Sequence, residues 1–345
     1  MKKKIIVTGG CGYIGSHAVI ELIENNFKVV VFDDLSNSSE NSIDRIETIT
    51  GIRPMFDQVD LKDMSHTDRM FTKHSDAIAV IHFAALKAVG ESVQKPLDYY
   101  QNNLYSLLNT LKSQNKVGIQ NFIFSSSATV YGNPKTLPIT ENNEIQRPFS
   151  PYGNTKKIAE EILEDFTSAN PIFSAISLRY FNPIGAHESG EIGELPNGIP
   201  NNLMPYITQT AAGIREKLMV FGNDYPTNDG TPIRDYVHVV DIAKAHVNAL
   251  NRLIKQKQEQ PLEIYNLGTG NGFSVMEMIE SFERVSNSKI KYEILDRREG
   301  DVPKLFAGTD LAFQKLGWKA ELGLDDMINS AWYWEQKYRK NNSTK

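Results

Sequence analysis

The stretch "VTGGCGYIGS" near the N-terminus constrains this chain more than any other. A β-branched run at residues 5–7 leads into it, and a helical pattern over residues 13–25 leads out. Gly9, Gly12 and Gly15 keep GxxGxxG spacing, and Gly10, Gly12 and Gly15 also satisfy GxGxxG. Glycines at a strand–turn–helix corner permit a tight turn and let a pyrophosphate approach backbone amides at the positive end of a helix. Alone, the pattern is common. Here an acid, Asp33, ends the next apolar run "KVVVFDD", 18 residues beyond Gly15. A carboxylate there accepts hydrogen bonds from an adenosine ribose and repels a 2′-phosphate, which favours NAD over NADP. The competing reading, a glycine turn with no phosphate to hold, leaves that acid without a purpose.

Short apolar runs continue to alternate with helical patterns. "AIAVIHFAA" is a buried run, and residues 96–113 carry an apolar helix face at Leu97, Tyr100, Leu104, Leu107, Leu108 and Leu111. "IQNFIFSSSA" and "FSAISLRYFNP" read as two more strands. Strands of nearly continuous hydrophobicity separated by helices predict an α/β fold, a Rossmann-type doubly wound parallel sheet. Beyond Asn182, Gly and Pro crowd "NPIGAHESGEIGELPNGIPNN", an expected loop. "LMPYITQTAAGI" then reads as a helix, "LMVFG" as a short strand and "DYVHVVDIAKAHVNALNRL" as helical. The expected division is a dinucleotide domain over residues 1–181, to which 234–262 returns. Residues 182–233 and 263–345 form a smaller mixed α/β C-terminal substrate domain. The polar end "KYRKNNSTK" is expected to fray.

Composition mainly excludes. A net charge of −5 over 345 residues gives no electrostatic reason to bind nucleic acid or an anionic membrane. The single cysteine, Cys11, forbids an internal disulfide and fits a reducing compartment. His and Cys do not cluster at ligand spacing, so no metal is expected. The apolar start is too short for a signal peptide, and no run approaches the ~20 apolar residues of a membrane span. A cytoplasmic protein is expected.

The chemistry is carried by "SPYGNTKK", in which Tyr152 precedes Lys156 by one helical turn. By itself this is a helix start with a surface lysine. Ser125 to Ser127 of "FSSSATVYG" end a strand, where open parallel sheets present groups to ligands, although a serine triplet is far more often turn chemistry. A tyrosine titrates near pH ~10 and is a poor base at neutrality. A nearby ammonium and an oxidised nicotinamide ring would each stabilise its phenolate and lower that value. Gly loop, Asp33, serine strand end and YxxxK in this order make a specific combination.

The combination resembles the extended short-chain dehydrogenase/reductase family, and within it the sugar-nucleotide epimerases. The resemblance runs from the first strand to about residue 330 through "VTGGCGYIGSH", "FAALKAVGESV", "FSSSATVYG", "SPYGNTK", "RYFNPIGAH", "PNNLMPY", "RDYVHV", "YNLGTG" and "RREGDVP". It implies that Gly9, Gly12, Tyr13, Ile14 and Gly15 line the pyrophosphate of NAD. Asp33, Asp34, Leu35, Ser36, Asn37 and Ser38 would face the adenosine ribose, and Asp60 and Leu61 the adenine. Phe83, Ala84, Ala85, Leu86, Lys87 and Asn102 match further coenzyme contacts, with Phe181 at the nicotinamide. Ser127, Tyr152 and Lys156 match the catalytic trio. Asn182, Asn202, Leu203, Met219, Val220, Phe221, Arg234, Arg298, Asp301 and Leu305 match contacts to a UDP-sugar. Arginine forks suit a diphosphate. The plainer reading of Arg234 and Arg298 is a surface salt bridge, with Asp235 and Asp296 nearby.

The implied activity is reversible inversion of carbon 4 between UDP-glucose and UDP-galactose. Tyr152 takes the hydroxyl proton, NAD takes and returns the hydride, and the keto sugar turns over in between. In relatives the residue at Leu305 goes with substrate range: a tyrosine with plain hexoses, a smaller residue with N-acetylated sugars also. Leucine lies between, so UDP-GlcNAc/UDP-GalNAc is a second candidate pair. The competing activities are a 4,6-dehydratase or decarboxylase of the same fold, and a non-catalytic dinucleotide sensor. Dehydratases of this group resemble one another in an acidic pair after the strand-end Thr, whereas Ser127 here precedes Ala128, Thr129 and Val130. A sensor would be expected to lack the tyrosine or the lysine. The resemblance also implies a homodimer through the helices at 96–113 and 152–168. Their apolar positions, including Ile158, Ile162, Leu163 and Phe166, equally fit an ordinary core.

Overall fold

The computed structural model describes residues 2–298 and 301–342. Residues 299–300, inside "RREGDVP", and the last three of the expected frayed tail lie outside the described residues. Strand and helix alternate as β1 (Lys4–Thr8), α1 (Tyr13–Glu24), β2 (Lys28–Asp33), α2 (Asn41–Thr50), β3 (Met55–Gln58), α3 (Met64–Lys73), β4 (Ala77–His82), α4 (Val89–Gln94), α5 (Pro96–Lys116), β5 (Asn121–Ser127), α6 (Pro151–Ala169) and β6 (Ser174–Tyr180). There follow β7 (Asn182–Ile184), α7 (Leu203–Ala211), β8 (Leu218–Phe221), β9 (Ile233–His238), α8 (Val239–Ile254), β10 (Leu262–Leu267), β11 (Gly272–Ser274), α9 (Val275–Ser286), β12 (Tyr292–Leu295), β13 (Lys304–Leu305), α10 (Asp310–Leu316) and α11 (Leu324–Asn342).

The main sheet has seven strands in the order β3-β2-β1-β4-β5-β6-β10, every neighbouring pair parallel. This is the Rossmann-type doubly wound arrangement, with its switch point between β1 and β4. The strands are apolar on both faces because both faces are covered. Ile5, Val7, Val29, Val31, Ile81 and Ile176 join one core, beneath α1 and α8. Ile6, Val30, Phe32, Val80, Phe122 and Phe124 join the other, with Leu107 of α5 and Leu163 of α6. Residues alternate between the two cores along each strand, as the pleat dictates.

Local chemistry sets the start of the key helix. Ser150 Oγ accepts the Gly153 amide (3.1 Å) and Pro151 occupies the first helical position, so "SP" begins α6 one residue before Tyr152. The smaller unit is built on β11-β9-β13, with β7 also paired to β9, and on the β12–β8 pair. Its core gathers Met204, Ile207, Val220, Phe282 and Ile328.

Three expectations are corrected. "DYVH" is not the start of a helix but most of strand β9, since Val237 and its neighbours are buried in the second sheet. His238 then accepts the Val240 amide and caps α8, which packs on α1. The expected loop after Asn182 begins with β7, paired to β9. The tail does not fray at 337, because α11 runs to Asn342. The division expected at 262/263 falls after the first residue of β10, whose six residues all pair with β6 in the main sheet.

Candidate active site

One cavity of about 1400 Å³ runs from the Gly loop to the second unit. That exceeds the few hundred to roughly 1000 Å³ of a site for one small ligand. The Gly loop forms its floor at the switch point. Gly9 has φ +69°, and a Cβ there would lie 2.6 Å from the Ala84 amide nitrogen; one on Gly15 would lie 2.2 Å from the Gly9 carbonyl oxygen. Only glycine lets β1, α1 and the segment after β4 converge so closely. Helix α1 has no acid in its first turn, which leaves its positive end free for an anion. This cradle fits a dinucleotide pyrophosphate.

Asp33 ends β2 beside the loop. Its carboxylate accepts the Cys11 amide (2.9 Å), the Leu35 amide (3.0 Å) and the Ser38 hydroxyl (2.7 Å). Burial raises its pKa, and these donors act against that rise. Cys11 lies beneath it, and burial pushes that thiol far up, away from redox chemistry. Asp60, Lys62 and Asn102 meet farther along the wall, with Lys62 Nζ 3.2 Å from both Asp60 and Asn102.

Tyr152 and Lys156 line the cavity from α6, with Ser125, Ala128 and Thr129 opposite. The lysine is buried, and its Nζ donates to the Ser125 carbonyl (2.6 Å) while lying 6.0 Å from the centre of the Tyr152 ring. It is therefore held by the strand end rather than by the phenol. Burial pushes the Tyr152 phenol up to about 12, with a hydrogen bond to Ser127 pulling the other way. Burial also pushes the Lys156 amine down to about 7, against the nearby Glu160. Desolvation is the larger influence on both groups, so ionising this phenol calls for added positive charge beside it. Ser127 is fixed in turn by Thr129, whose amide and hydroxyl donate to it at 3.2 and 3.0 Å.

The second unit supplies the cations. Arg234 pairs with Asp301 and donates to the carbonyls of Ile233 and Val302 (2.8 Å each), so Asp235 is not its partner. Asp235 instead accepts the amides of Thr269, Gly270 and Ala307. The Arg298 guanidinium stacks 3.9 Å above the Phe221 ring. Asn182, Asn202, Leu203, Met219, Val220 and Leu305 share the same wall. Lys87 Nζ reaches Glu194 (3.0 Å), which also accepts the Asn202 amide group (2.7 Å), linking the two units across the cavity.

Three nominated residues do not line this wall. Leu35 turns into the core beside β1. Phe181 packs with Val130, Tyr131 and Ile139, and its neighbour Tyr180 takes the place on the wall. Ser127 reaches the site only through Tyr152. Sequence reasoning missed Glu194, Lys62 and Asn103. Asn103 clamps both backbone groups of Leu86 (2.8 and 3.0 Å) and touches Thr155 on α6 (3.0 Å). Its i,i+4 phase with the core residues Tyr99 and Leu107 was a usable signal.

Comparison with known proteins fits this geometry. The profile of the family described as GDP-mannose 4,6 dehydratase matches residues 6–331. The UDP-glucose 4-epimerase of Haemophilus influenzae is 51% identical over 336 residues, covering 97% of this chain and 98% of its own. That of Homo sapiens is 50% identical over 343 residues, covering 98% and 97%. Among solved structures, the Stenotrophomonas maltophila UDP-glucose-4-epimerase with bound NAD and formylated UDP-arabinopyranose superposes with a TM-score of 0.95 at 44% identity, covering 98% of this chain and 99% of its own. The Bifidobacterium longum enzyme with NAD+ and UDP gives 0.93 at 46%, covering 97% and 98%. With the Gly cradle, the half-buried Tyr152 and buried Lys156, and the two arginines on one cavity wall, these likenesses place the chain in the UDP-glucose 4-epimerase family.

Proposed function

We propose that this chain interconverts UDP-glucose and UDP-galactose by inverting carbon 4, with NAD retained through turnover. The observation that carries the reading is that the YxxxK pair shares one cavity with the glycine cradle of one unit and the arginines of the other. Gly9, Gly12 and the N-terminus of α1 hold the pyrophosphate, and Asp33 with Ser38 holds the adenosine ribose. NAD, when bound, supplies the acceptor for the hydrogen on carbon 4 and, when oxidised, the positive ring that draws the buried phenol toward ionisation.

Tyr152 takes the proton of the carbon 4 hydroxyl and returns it on the other face. Lys156, fixed by the Ser125 carbonyl, has further N–H donors that would hold the coenzyme ribose. Ser127 acts through Tyr152, whose hydroxyl it orients. Arg234 and Arg298 hold the diphosphate, and the uracil lies along Met219 to Phe221. Binding strength concentrated on UDP leaves the hexose free to turn. A dehydratase reading lacks its machinery: the turn after Ser127 is Ala128, Thr129, Val130 and Tyr131, which offers no carboxylate to carbons 5 and 6.

The reading includes a cytoplasmic homodimer. Leu97 and Tyr105 on α5 are 79% and 52% exposed, and Tyr100, Leu104, Ile158, Ile162 and Phe166 are half-buried beside them. A face of that composition suits a second copy. Gel-filtered protein given UDP-galactose and no added coenzyme should form UDP-glucose. A 4-keto-6-deoxy product, or no conversion, contradicts the proposal.

A further inference from the structure

Helix α6 presents Tyr152, Lys156 and Glu160 at successive turns, and each meets one member of the serine triplet that ends β5. The Tyr152 phenol is hydrogen-bonded to Ser127, and Lys156 Nζ donates to the Ser125 carbonyl (2.6 Å). The middle serine, Ser126, has no part in the chemistry described above. Strand alternation turns its side chain toward α6, where its hydroxyl donates to Glu160 Oε1 (2.6 Å).

Glu160 holds more than that serine. It accepts Ser177 Oγ of β6 (2.7 Å) and the fork of Arg179 of β6, through Nε (3.0 Å) and Nη2 (2.6 Å). Arg179 Nη1 donates onward to Tyr131 (2.9 Å), whose hydroxyl donates to Asn266 of β10 (2.7 Å). Ser126, Ser177 and Asn266 are 0% exposed, Arg179 3% and Glu160 7%, so water cannot replace any of these bonds. Both oxygens of the carboxylate are engaged, and it does not line the cavity. It therefore acts only through what it holds.

We propose that Glu160, clamped by Arg179, is the positioning residue that fixes the register of α6 against β5 and so places Tyr152 on Ser127 and Lys156 on the Ser125 carbonyl. The inference rests on the epimerase reading. Ser126 is flanked by the two residues that hold the reacting groups, so a slip there moves both. Proton transfer to a sugar hydroxyl tolerates little displacement, since misplacement of about 1 Å costs up to roughly 10²-fold in rate.

The test uses the holoenzyme and two variants. Ser126→Ala removes one hydrogen bond and leaves the ion pair; Glu160→Gln keeps the shape and removes the charge. In both, kcat for UDP-galactose should fall roughly 10-fold or more, with KM within about twofold of wild type. If Glu160→Gln does not fold, Ser126→Ala decides alone. An active wild type whose Ser126→Ala variant keeps its kcat, or loses only KM or thermal stability, overturns the inference and leaves the epimerase reading standing. A wild type without epimerase turnover overturns both.

Discussion

The Tyr152 phenol is the residue on which the chemistry turns, and burial alone works against it. A group held near 12 ionises at neutral pH only when positive charge is brought beside it. Tyr152→Phe should retain coenzyme and lose roughly 10²–10⁴-fold in kcat, the usual worth of a positioned acid–base group. Unchanged turnover in a steady-state assay would remove this residue from the mechanism. Leu305 is a second residue with a definite expectation. It pairs in register with Arg234 and closes the wall beside Ala307. Leu305→Tyr fills that space with a ring, so UDP-GalNAc should lose at least about 10-fold in kcat/KM relative to UDP-galactose. Equal effects on both sugars would mean that the acetamido group lies elsewhere.

Among the elements, the Gly loop is the clearest case of sequence dictating structure. The glycine spacing, the strand before it and the acid after it were all legible because each answers a backbone demand, and the structure supplies the demand at Gly9 and Gly15. Alanine at φ +69° costs roughly 1–2 kcal/mol before its Cβ meets Ala84. Gly9→Ala should therefore weaken the affinity for NAD by about 10-fold; an unchanged dissociation constant would show that the loop yields. Helix α6 was legible for a similar reason, since Ser150 and Pro151 fix its start. Strand β9 was misread because "DYVHVVDIAKAHV" keeps an apolar helical rhythm through the junction, and only pairing with β7, β11 and β13 ends the strand at His238. The clamp on Glu160 was invisible for a different cause: its partners come from β5 and β6, far apart in sequence.

The whole molecule carries its histidines unevenly. His17 and His82 are pushed down to about 3, and His238 and His246 to about 4, all by burial. An unfolded chain protonates them near 6.5, so between about 6.5 and about 3–4 the unfolded state binds more protons and stability falls with falling pH. The thermal midpoint should drop steeply as the pH falls below ~6. A midpoint flat down to pH ~4 would mean these rings are not held neutral. Strand β10 joins the main sheet after the second unit has begun, and α10 packs on it. What the two units accomplish together is the central claim: carbon 4 is oxidised and reduced within one closed site. UDP-galactose carrying deuterium at carbon 4, given to coenzyme-loaded protein in ordinary water, should yield UDP-glucose with that deuterium still in place. Exchange of the label for solvent hydrogen would contradict the account.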